Sequence, residues 1–238
     1  MKFVGPYIVE GMLKVDAAIA MLENLKKNTN FEQVAGIKIP DLHKVKVLGS
    51  GYYGVAFDIG GGKVLKLTKD KAERNAASLI AGKRLKGVYK IFGVYNWAKT
   101  DLVTFIVTEK VTMNESKARQ VIRAVEDVTR AFVQVSSKTS VVVGSPSSSG
   151  WNSSKAEWTK FKKDVAEGKH SDYLGAKIKT IELAEGIIQG FMSLDKAGIF
   201  WADLHAGNVA FRGGKAVIID MGHSKSGGGN VKIFEGQV

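Results

Sequence analysis

The chain has 238 residues, of which 45% are hydrophobic, and carries a formal net charge of +12. That length and apolar content suffice for one large domain or two small lobes with a sizeable core. The sequence contains no cysteine, which excludes disulfides, thiolate metal sites and cysteine nucleophiles. No run of about 18 uncharged apolar residues occurs, and Glu10, Lys14 and Asp16 interrupt the apolar core that a signal peptide needs. We therefore expect a soluble, cytoplasmic protein without a membrane segment.

The positive net charge favours acidic partners, because the summed field of the protein raises encounter rates with anions. Acidic protein surfaces, polyphosphates and nucleic acid are all candidates. The lysines are spread along the sequence, however, and neither a long basic block nor an alternation of basic and aromatic residues supports nucleic-acid binding. A solvated lysine-rich surface without a dedicated partner explains the charge equally well.

The first predicted element is an amphipathic helix near the N-terminus, closed by Lys26, Lys27 and Asn28. Apolar residues recur there at helical spacing, at Met12, Val15, Ile19, Leu22 and Leu25. Over residues 44–68 the pattern changes to alternating and β-branched, which is typical of strands. Three consecutive glycines at 60–62 predict a turn between strands at 55–59 and 63–67.

A helix and two more strands are predicted to follow this hairpin. Asp70 and Glu73 form a capping box for an alanine-rich helix that should extend to about Leu85. Apolar runs at 89–95 and 102–107 indicate two strands. These elements together predict a five-stranded sheet with one inserted helix.

After Glu109 the pattern becomes mainly helical. The first helix has Asn114 or Ser116 as its cap and an apolar stripe formed by Val121, Val125, Val128 and Phe132. The serine-rich segment 136–154 is predicted to be a loop. A short helix should begin at a capping box of Ser154 and Glu157 and end at Gly168, and a long helix should cover 174–197. Two short strands are predicted over 209–220, before a glycine-containing tail at 227–229.

The stretch GSGYYG contains three glycines, Gly49, Gly51 and Gly54, in the spacing G-x-G-x-x-G. A dinucleotide-binding fold would need a helix to open at the last glycine, whereas here another strand follows. The glycines therefore lie at the tip of a hairpin, where backbone N–H groups can approach phosphates closely. A plain flexible hairpin is the alternative interpretation of this motif.

Lys66 lies inside the apolar stretch VLKLT. A lysine in a buried strand is costly unless its ammonium group meets an anion, although an edge-strand lysine that points to solvent is also consistent with the pattern. Glu73 is a candidate for the carboxylate that orients Lys66. It could equally be only a helix cap, because it lies three residues after Asp70 in the capping-box spacing and only seven residues after Lys66.

Three polar residues near the C-terminus match the needs of phosphoryl transfer. Asp203 could accept a hydroxyl proton, Asn208 could hold a metal from the same loop, and Asp220 could chelate Mg²⁺ at a strand end. Each residue alone is compatible with an ordinary turn. All three follow a glycine loop, a strand lysine and a helix glutamate along the sequence. This complete order is much less probable by chance than any one of the motifs alone.

In this order of elements the chain resembles the protein-kinase-like superfamily, from about residue 45 to 222. The stretch DLHAGN, with His205 where typical protein kinases have lysine, is similar to aminoglycoside phosphotransferases, lipopolysaccharide kinases and minimal serine/threonine kinases of bacteriophages. The short interval from Lys66 to Glu73 and the compact size resemble the phage type most. The resemblance implies an α+β, bilobal, protein-kinase-like fold. It implies an N-lobe with an antiparallel five-stranded sheet and one helix at 41–111, and a reduced, mostly helical C-lobe at 112–238. The predicted N-terminal helix then forms a helical extension at 1–40.

The resemblance also implies roles for individual residues. Lys66 would contact the α- and β-phosphates of ATP, Asp203 would position or deprotonate the acceptor hydroxyl, and Asn208 with Asp220 would bind Mg²⁺. His205 would face the γ-phosphate or support the loop, and Thr108 looks like the gatekeeper. The remaining nucleotide-binding residues would be Gly49, Ser50, Gly51, Tyr52, Tyr53, Gly54, Glu73 and the hinge backbone from Glu109 to Val111.

The expected activity is ATP- and Mg²⁺-dependent transfer of phosphate to serine or threonine of a protein, with an acidic or host protein as partner and the host cytoplasm as location if a phage encodes the chain. The serine-rich segment could be the enzyme's own substrate or a mere linker. A small-molecule phosphotransferase is the alternative enzyme. A nucleotide-dependent module that binds and inhibits an acidic host partner is the non-enzyme alternative.

Overall fold

The computed structural model describes residues 13–27, 29–97, 100–136, 155–170, 178–222, 224–226 and 232–234. The chain divides into two compact units. Unit 1 comprises Met1–Lys83, Lys90–Lys110 and Gly228–Val238, and unit 2 comprises Arg84–Tyr89 and Val111–Gly227. None of the helices in the described ranges is long and apolar enough to cross a membrane.

The elements are numbered in chain order. The α-helices are α1 (Val15–Lys27), α2 (Thr29–Ala35), α3 (Lys71–Ile80), α4 (Glu115–Ser136), α5 (Lys155–Ala166) and α6 (Ile178–Lys196). The strands are β1 (Lys46–Ser50), β2 (Gly54–Gly60), β3 (Lys63–Thr68), β4 (Ile91–Trp97), β5 (Thr100–Glu109), β6 (Val209–Arg212), β7 (Lys215–Ile218) and β8 (Lys232–Phe234). Short 3₁₀ turns occupy Leu42–Lys44 and Ala206–Asn208.

The sheet of unit 1 has the strand order β1-β2-β3-β5-β4-β8. Its first five strands are antiparallel to their neighbours, and the glycines at 60–62 turn β2 into β3 with positive φ angles. The predicted fold class is therefore confirmed: an α+β chain with a five-stranded antiparallel sheet and one inserted helix, followed by a mostly helical unit.

A sixth strand, β8, was not predicted. It pairs in parallel with β4, so this C-terminal piece lies in unit 1 and not in the C-lobe where the sequence interpretation placed it. Three residues are too few to show a strand period, and the pairing partner is remote in sequence. The glycines at 227–229 and most of the serine-rich segment 136–154 lie outside the described residues.

Helices α1 and α2 cover one face of this sheet. Helix α1 forms as predicted and buries Ala17, Ala18, Leu22 and Leu25. Of the predicted apolar stripe Leu22 and Leu25 are buried, whereas Val15 and Ile19 are half-buried. In α2 the fully buried ring of Phe31 packs against the sheet, with its centroid 5.6 Å from Tyr95 and 5.8 Å from Phe105. The N-terminal residues thus contribute to the core of unit 1.

Helix α3 is shorter than predicted. It begins as expected, with the side chain of Asp70 accepting a hydrogen bond from the backbone N–H of Ala72, but it ends at Ile80 and not near Leu85. Gly82 has a φ of +76° and donates its N–H to the carbonyl of Ile91. This left-handed glycine ends the helix and returns the chain to the start of β4, which outweighs the helix propensity of the alanines.

Helices α4 and α6 pack against each other in unit 2, and the β6–β7 hairpin packs on α6. The predicted apolar stripe of α4 is buried, at Val121, Val125, Val128 and Phe132. Asn114 is the cap, because its side chain accepts a hydrogen bond from the N–H of Lys117. The hairpin around Gly213 and Gly214 agrees with the prediction for 209–220.

Candidate active site

The glycine-rich turn connects β1 to β2 in unit 1. Its backbone is held from both sides: the N–H of Leu13 donates to the carbonyl of Tyr52 at 3.2 Å, and the N–H of Lys69 donates to the carbonyl of Tyr53 at 2.8 Å. Within the described part of the chain, the N–H groups of Tyr52 and Tyr53 themselves donate to no acceptor. Two adjacent unpaired donors at an exposed turn are suited to bind an anion.

The three glycines of this turn differ in their surroundings. A Cβ atom on Gly49 or Gly51 would meet no atom of the described residues within 4 Å. A Cβ atom on Gly54 would lie 2.5 Å from the carbonyl oxygen of Leu67 on the neighbouring strand. Gly54 is therefore required by strand packing, whereas Gly49 and Gly51 leave room for a ligand above the turn.

Lys66 and Glu73 form an ion pair with a distance of 2.5 Å between Nζ and Oε1. Lys66 comes from the middle of β3, and Glu73 from the first turn of α3. The side chain of Glu73 is 2% exposed and that of Lys66 is 19% exposed. The short sequence interval therefore suffices for contact, and Glu73 binds the lysine and does not close a capping box. The pair places an oriented ammonium group at the sheet surface.

The end of β5 contains the residues predicted to bind adenine. Thr108 is buried, and Glu109 closes the strand by accepting the N–H of Lys90 on its side chain at 2.7 Å. Lys110 donates its N–H to the carbonyl of Gly62. Among the described residues, none accepts a hydrogen bond from the N–H of Val111, so this donor is available to a ligand.

Lys110 also ties this segment to β2. Its Nζ lies 2.6 Å from Oδ2 of Asp58. This hydrogen bond, together with the backbone N–H of Gly60, lowers the pKa of Asp58 against the opposing effect of burial. Asp58 thus remains ionised to unusually low pH and keeps the segment after β5 attached to the β2–β3 hairpin.

In unit 2, Asp203 and Asn208 are joined within one loop. Nδ2 of Asn208 donates to the main-chain carbonyl of Asp203 and to its Oδ2, both at 2.9 Å. Asn208 is buried, whereas the side chain of Asp203 is 30% exposed. No described group donates to Oδ1 of Asp203 or to Oδ1 of Asn208. The loop therefore presents one free carboxylate oxygen and one free amide oxygen in fixed positions.

His205 supports this loop. Its Nδ1 accepts the N–H of Gly207 at 3.1 Å and so caps the 3₁₀ turn, and its Nε2 lies 3.6 Å from Oδ2 of Asp203. The imidazole is 57% exposed. Of the two roles expected for His205, support of the loop has a direct structural basis; contact with a γ-phosphate stays a prediction.

Asp220 follows β7 in a backbone conformation that is rare for a residue with a side chain, with a φ of +61°. Its Oδ1 accepts the N–H of Gly222, and its main-chain carbonyl accepts the indole N–H of Trp201 at 3.0 Å. The N–H of Ile219 donates to the carbonyl of Asn208. These contacts attach the segment of Asp220 directly to the loop of Asp203 and Asn208.

The donor set fits magnesium bound together with a nucleotide. Among the described residues, no group of three or more His, Cys, Asp or Glu side chains could hold a metal ion by itself. Mg²⁺ in phosphate-transferring sites takes only one or two protein oxygen ligands, however, and fills its other positions with phosphate and water. The Oδ1 of Asn208 and the carboxylate of Asp220 are oxygen atoms of the type that such a site requires.

The sequence interpretation missed two contributors to this arrangement. Trp201 is fully buried, and its indole fixes the carbonyl of Asp220. Leu13 reaches the glycine-rich turn through its backbone. The tryptophan two positions before Asp203 was a visible signal, whereas a main-chain bond such as that of Leu13 has no signature in the sequence.

Comparisons with known proteins give similarity only to solved structures. No protein-family model and no curated protein matches the chain. A thermostable mutant of aminoglycoside phosphotransferase APH(4)-Ia in ternary complex with ADP and hygromycin B is 12% identical, covers 82% of this chain and 70% of that chain, and gives a TM-score of 0.35. The apo form of a thermostable mutant is 14% identical over 84% and 72%, with a TM-score of 0.36. A further APH(4)-Ia structure is 11% identical over 76% and 67%, with a TM-score of 0.33. We base the functional interpretation on the chain's own residues, because such distant similarity transfers neither activity nor substrate.

Proposed function

We propose that this chain is an ATP- and Mg²⁺-dependent kinase that transfers the γ-phosphate to serine or threonine of a protein. The observation that carries the proposal is the connected loop of Asp203, Asn208 and Asp220. The candidate base Asp203 is there hydrogen-bonded to the candidate metal ligand Asn208, and the N–H of Ile219 connects Asn208 to the segment of the second candidate ligand, Asp220. A turn with a purely structural role does not require two carboxylates and an amide in connected positions.

Residues of unit 1 and the backbone of Val111 would bind and orient the nucleotide. The free N–H groups of Tyr52 and Tyr53 are suited to phosphate oxygens, and the N–H of Val111 is suited to a ring nitrogen of adenine. Lys66 would neutralise charge on the α- and β-phosphates, held in place by Glu73. Since Glu73 is almost fully buried, the lysine is preorganised and loses little conformational entropy on binding.

Asp203 would receive the proton of the acceptor. Its Oδ2 is fixed by Asn208, which leaves Oδ1 to accept the hydrogen bond of the attacking hydroxyl group. During transfer the hydroxyl O–H bond breaks, the oxygen forms a bond to the γ-phosphorus, and the bond from this phosphorus to the bridging oxygen of ADP breaks. Mg²⁺ held by Asn208 and Asp220 would supply charge neutralisation between the phosphates.

A small-molecule acceptor is the second candidate, and the stretch DLHAGN favours it. His205 takes the position at which typical protein kinases have lysine, and its exposed imidazole lies beside Asp203. This enzyme would use every step above and would differ only in the hydroxyl compound that accepts the γ-phosphate. Identifying the acceptor therefore distinguishes the two candidate functions.

The test measures ADP formation by the purified chain with ATP and Mg²⁺. One set of reactions contains a serine- and threonine-containing peptide mixture, and another contains a panel of small polyhydroxylated amines and sugars. The proposal predicts stimulation by peptides, loss of activity in Asp220→Ala, and retained activity in Asp127→Asn, which removes an exposed carboxylate of α4. Stimulation by small alcohols alone would establish the second candidate. Turnover that survives in Asp220→Ala would contradict both.

A further inference from the structure

Unit 2 contains a cavity of about 720 Å³ on a part of its surface that the phosphoryl-transfer residues do not use. Its walls come from the start of α4, Lys162 of α5, the middle of α6, the β6–β7 hairpin and the segment Arg84–Tyr89. A volume of this size is typical of ligand sites, which range over about 300–1,000 Å³. None of the candidate site residues described above lines it.

The floor of the cavity is tightly built. Gly87, Gly186 and Gly190 allow three backbones to touch: a Cβ atom on Gly87 would lie 2.0 Å from the carbonyl oxygen of Gly186, and one on Gly186 would lie 2.2 Å from that of Ala216. The N–H of Ile218 also donates to the carbonyl of Gly87. The segment at 84–89, α6 and β7 therefore hold one another in fixed positions, and the cavity is a preformed feature of unit 2.

The lining is strongly basic. Five cations surround the cavity against two carboxylates, Glu182 and Glu185; the cations are Lys86, Lys117, Lys162, Arg212 and Lys215. Lys162 has one of these carboxylates as a partner, because its Nζ lies 2.9 Å from Oε1 of Glu185. In the described part of the chain, no carboxylate lies within ion-pair distance of Lys86, Lys117 or Lys215.

The neutral contacts of Lys117 leave its charge uncompensated. Its Nζ donates to the carbonyl oxygen of Gly214 at 3.3 Å and lies 4.7 Å from the ring centre of Phe211. Lys86 and Lys215 are exposed at the rim. The positive charges of Lys86, Lys117 and Lys215 around one cavity repel each other, and a bound anionic ligand would reduce this repulsion.

The apolar part of the lining favours a peptide over a nucleic acid. Leu183 is 37% exposed beside the cations and offers a contact for an apolar side chain. Single-stranded nucleic acids bind by stacking bases on exposed aromatic rings. Phe211 is the aromatic residue of the lining, and it is 7% exposed and covered by Lys117.

We propose that this basic cavity is a docking site for an acidic segment of the protein substrate, bound through Lys86, Lys117 and Lys215, with an apolar residue of that segment on Leu183. The proposal rests on the proposed function because it concerns the same substrate. It adds a recognition element to which the phosphoryl-transfer residues do not contribute. Docking of this kind lowers KM and leaves the chemical step unchanged.

The test uses a fluorescein-labelled peptide of alternating glutamate and leucine, whose binding to the full chain is followed by fluorescence anisotropy. A peptide with lysine in place of glutamate and a labelled oligouridine of similar length serve as competing probes. The pocket variant combines Lys86→Glu with Lys215→Glu. Its matched control combines Lys38→Glu with Lys196→Glu, which reverses two exposed charges that do not line the cavity.

We expect the acidic peptide to bind the wild-type chain, more weakly with rising salt, and the pocket variant to lose about tenfold or more in affinity, equivalent to about 1.4 kcal/mol. The control should bind as the wild type does. Equal binding by the two variants would overturn the proposal, and so would preference for the lysine peptide or for oligouridine.

A second measurement separates this proposal from the proposed function. A serine peptide with an acidic extension should show a raised KM and an unchanged kcat with the pocket variant, while the same peptide without the extension should be unaffected. If the chain forms no ADP under any condition but the acidic peptide still binds through Lys86 and Lys215, the kinase proposal fails and the docking site stands.

Discussion

Asn208 holds Asp203 by two hydrogen bonds of 2.9 Å, one to the main-chain carbonyl and one to the carboxylate. The first contact fixes the loop, and the second decides which carboxylate oxygen remains free. The amide nitrogen of Asn208 makes both bonds, and its Oδ1 is not used in either of them. One residue therefore orients the candidate base and supplies a candidate metal ligand. In the proposed kinase, phosphate transfer would depend on this pair.

Asp203→Asn should lower kcat by about two to four powers of ten, because an amide cannot accept the acceptor's proton. The change preserves size, so nucleotide affinity should stay near the wild-type value. Initial rates of phosphate transfer and calorimetric titration with ADP check the two statements. Asp127→Asn, at an exposed position of α4, is the matched control and should leave both quantities unchanged.

Lys66→Met should destabilise the fold by about 3 kcal/mol, because it leaves the carboxylate of Glu73 buried without its cation. The double variant Lys66→Met with Glu73→Met should recover most of that stability, since no buried charge remains. Both variants should lack activity. Urea unfolding of the single and double variants measures the difference, and equal stability of the two would show that Glu73 does not depend on Lys66.

Gly49→Ala and Gly54→Ala should have different effects, although both glycines belong to the same motif. Alanine at Gly49 meets no atom of the described residues within 4 Å, so the free energy of unfolding should stay the same while ATP affinity falls by severalfold. Alanine at Gly54 would contact the carbonyl of Leu67 and should destabilise the fold by about 1–3 kcal/mol. Thermal unfolding and ATP titration of both variants test this, and a destabilised Gly49→Ala would contradict the assignment.

Local signals in the sequence predicted the elements that depend on neighbouring residues. The glycines at 60–62, the Asn114 cap and the α4 stripe are of this kind, because turn, cap and periodicity are decided within a few positions. The order of Lys66, Glu73, Asp203, Asn208 and Asp220 also indicated the chemistry of the site. Each of those residues lies in a short motif that can be recognised from its immediate neighbours in the sequence.

Contacts between remote segments were not predictable in this way. Strand β8 pairs with β4, Leu13 binds the turn at Tyr52, and the indole of Trp201 binds the carbonyl of Asp220. Each contact uses a main-chain group or a buried ring whose partner is decided by packing. The close contacts of Gly186 and Gly190 in α6 belong to the same class. Their G-x-x-x-G spacing indicates that another backbone can approach the helix, but it does not indicate which segment of the chain will do so.

Acid should weaken unit 1 through Asp58. Its folded pKa is lowered by the hydrogen bond from Lys110, so the ionised form stabilises the fold at pH values above the unfolded pKa of about 3.9. That contribution is lost as the pH falls through the lower, folded pKa. Lys110 is 47% exposed, so solvent limits the effect to less than about 1 kcal/mol.

Asp58→Asn provides the measurement for this pH effect. The free energy of unfolding of the variant should be lower than that of the wild type at about pH 7, and the difference should shrink as the pH falls below about 3.9 and through the lowered folded pKa of Asp58. A difference that persists unchanged in acid would mean that the carboxylate charge of Asp58 has no part in it.

Intact-mass spectrometry of the purified chain after incubation with ATP, Mg²⁺ and a serine-containing peptide with an acidic extension tests the central claim most directly. We predict that the peptide gains mass in steps of one phosphate with the wild-type chain, and gains none with Asp203→Asn or Asp220→Ala. A peptide that gains phosphate equally with the two variants, or an absence of both transfer and ADP formation with the wild-type chain, would contradict the assignment of this protein as a kinase.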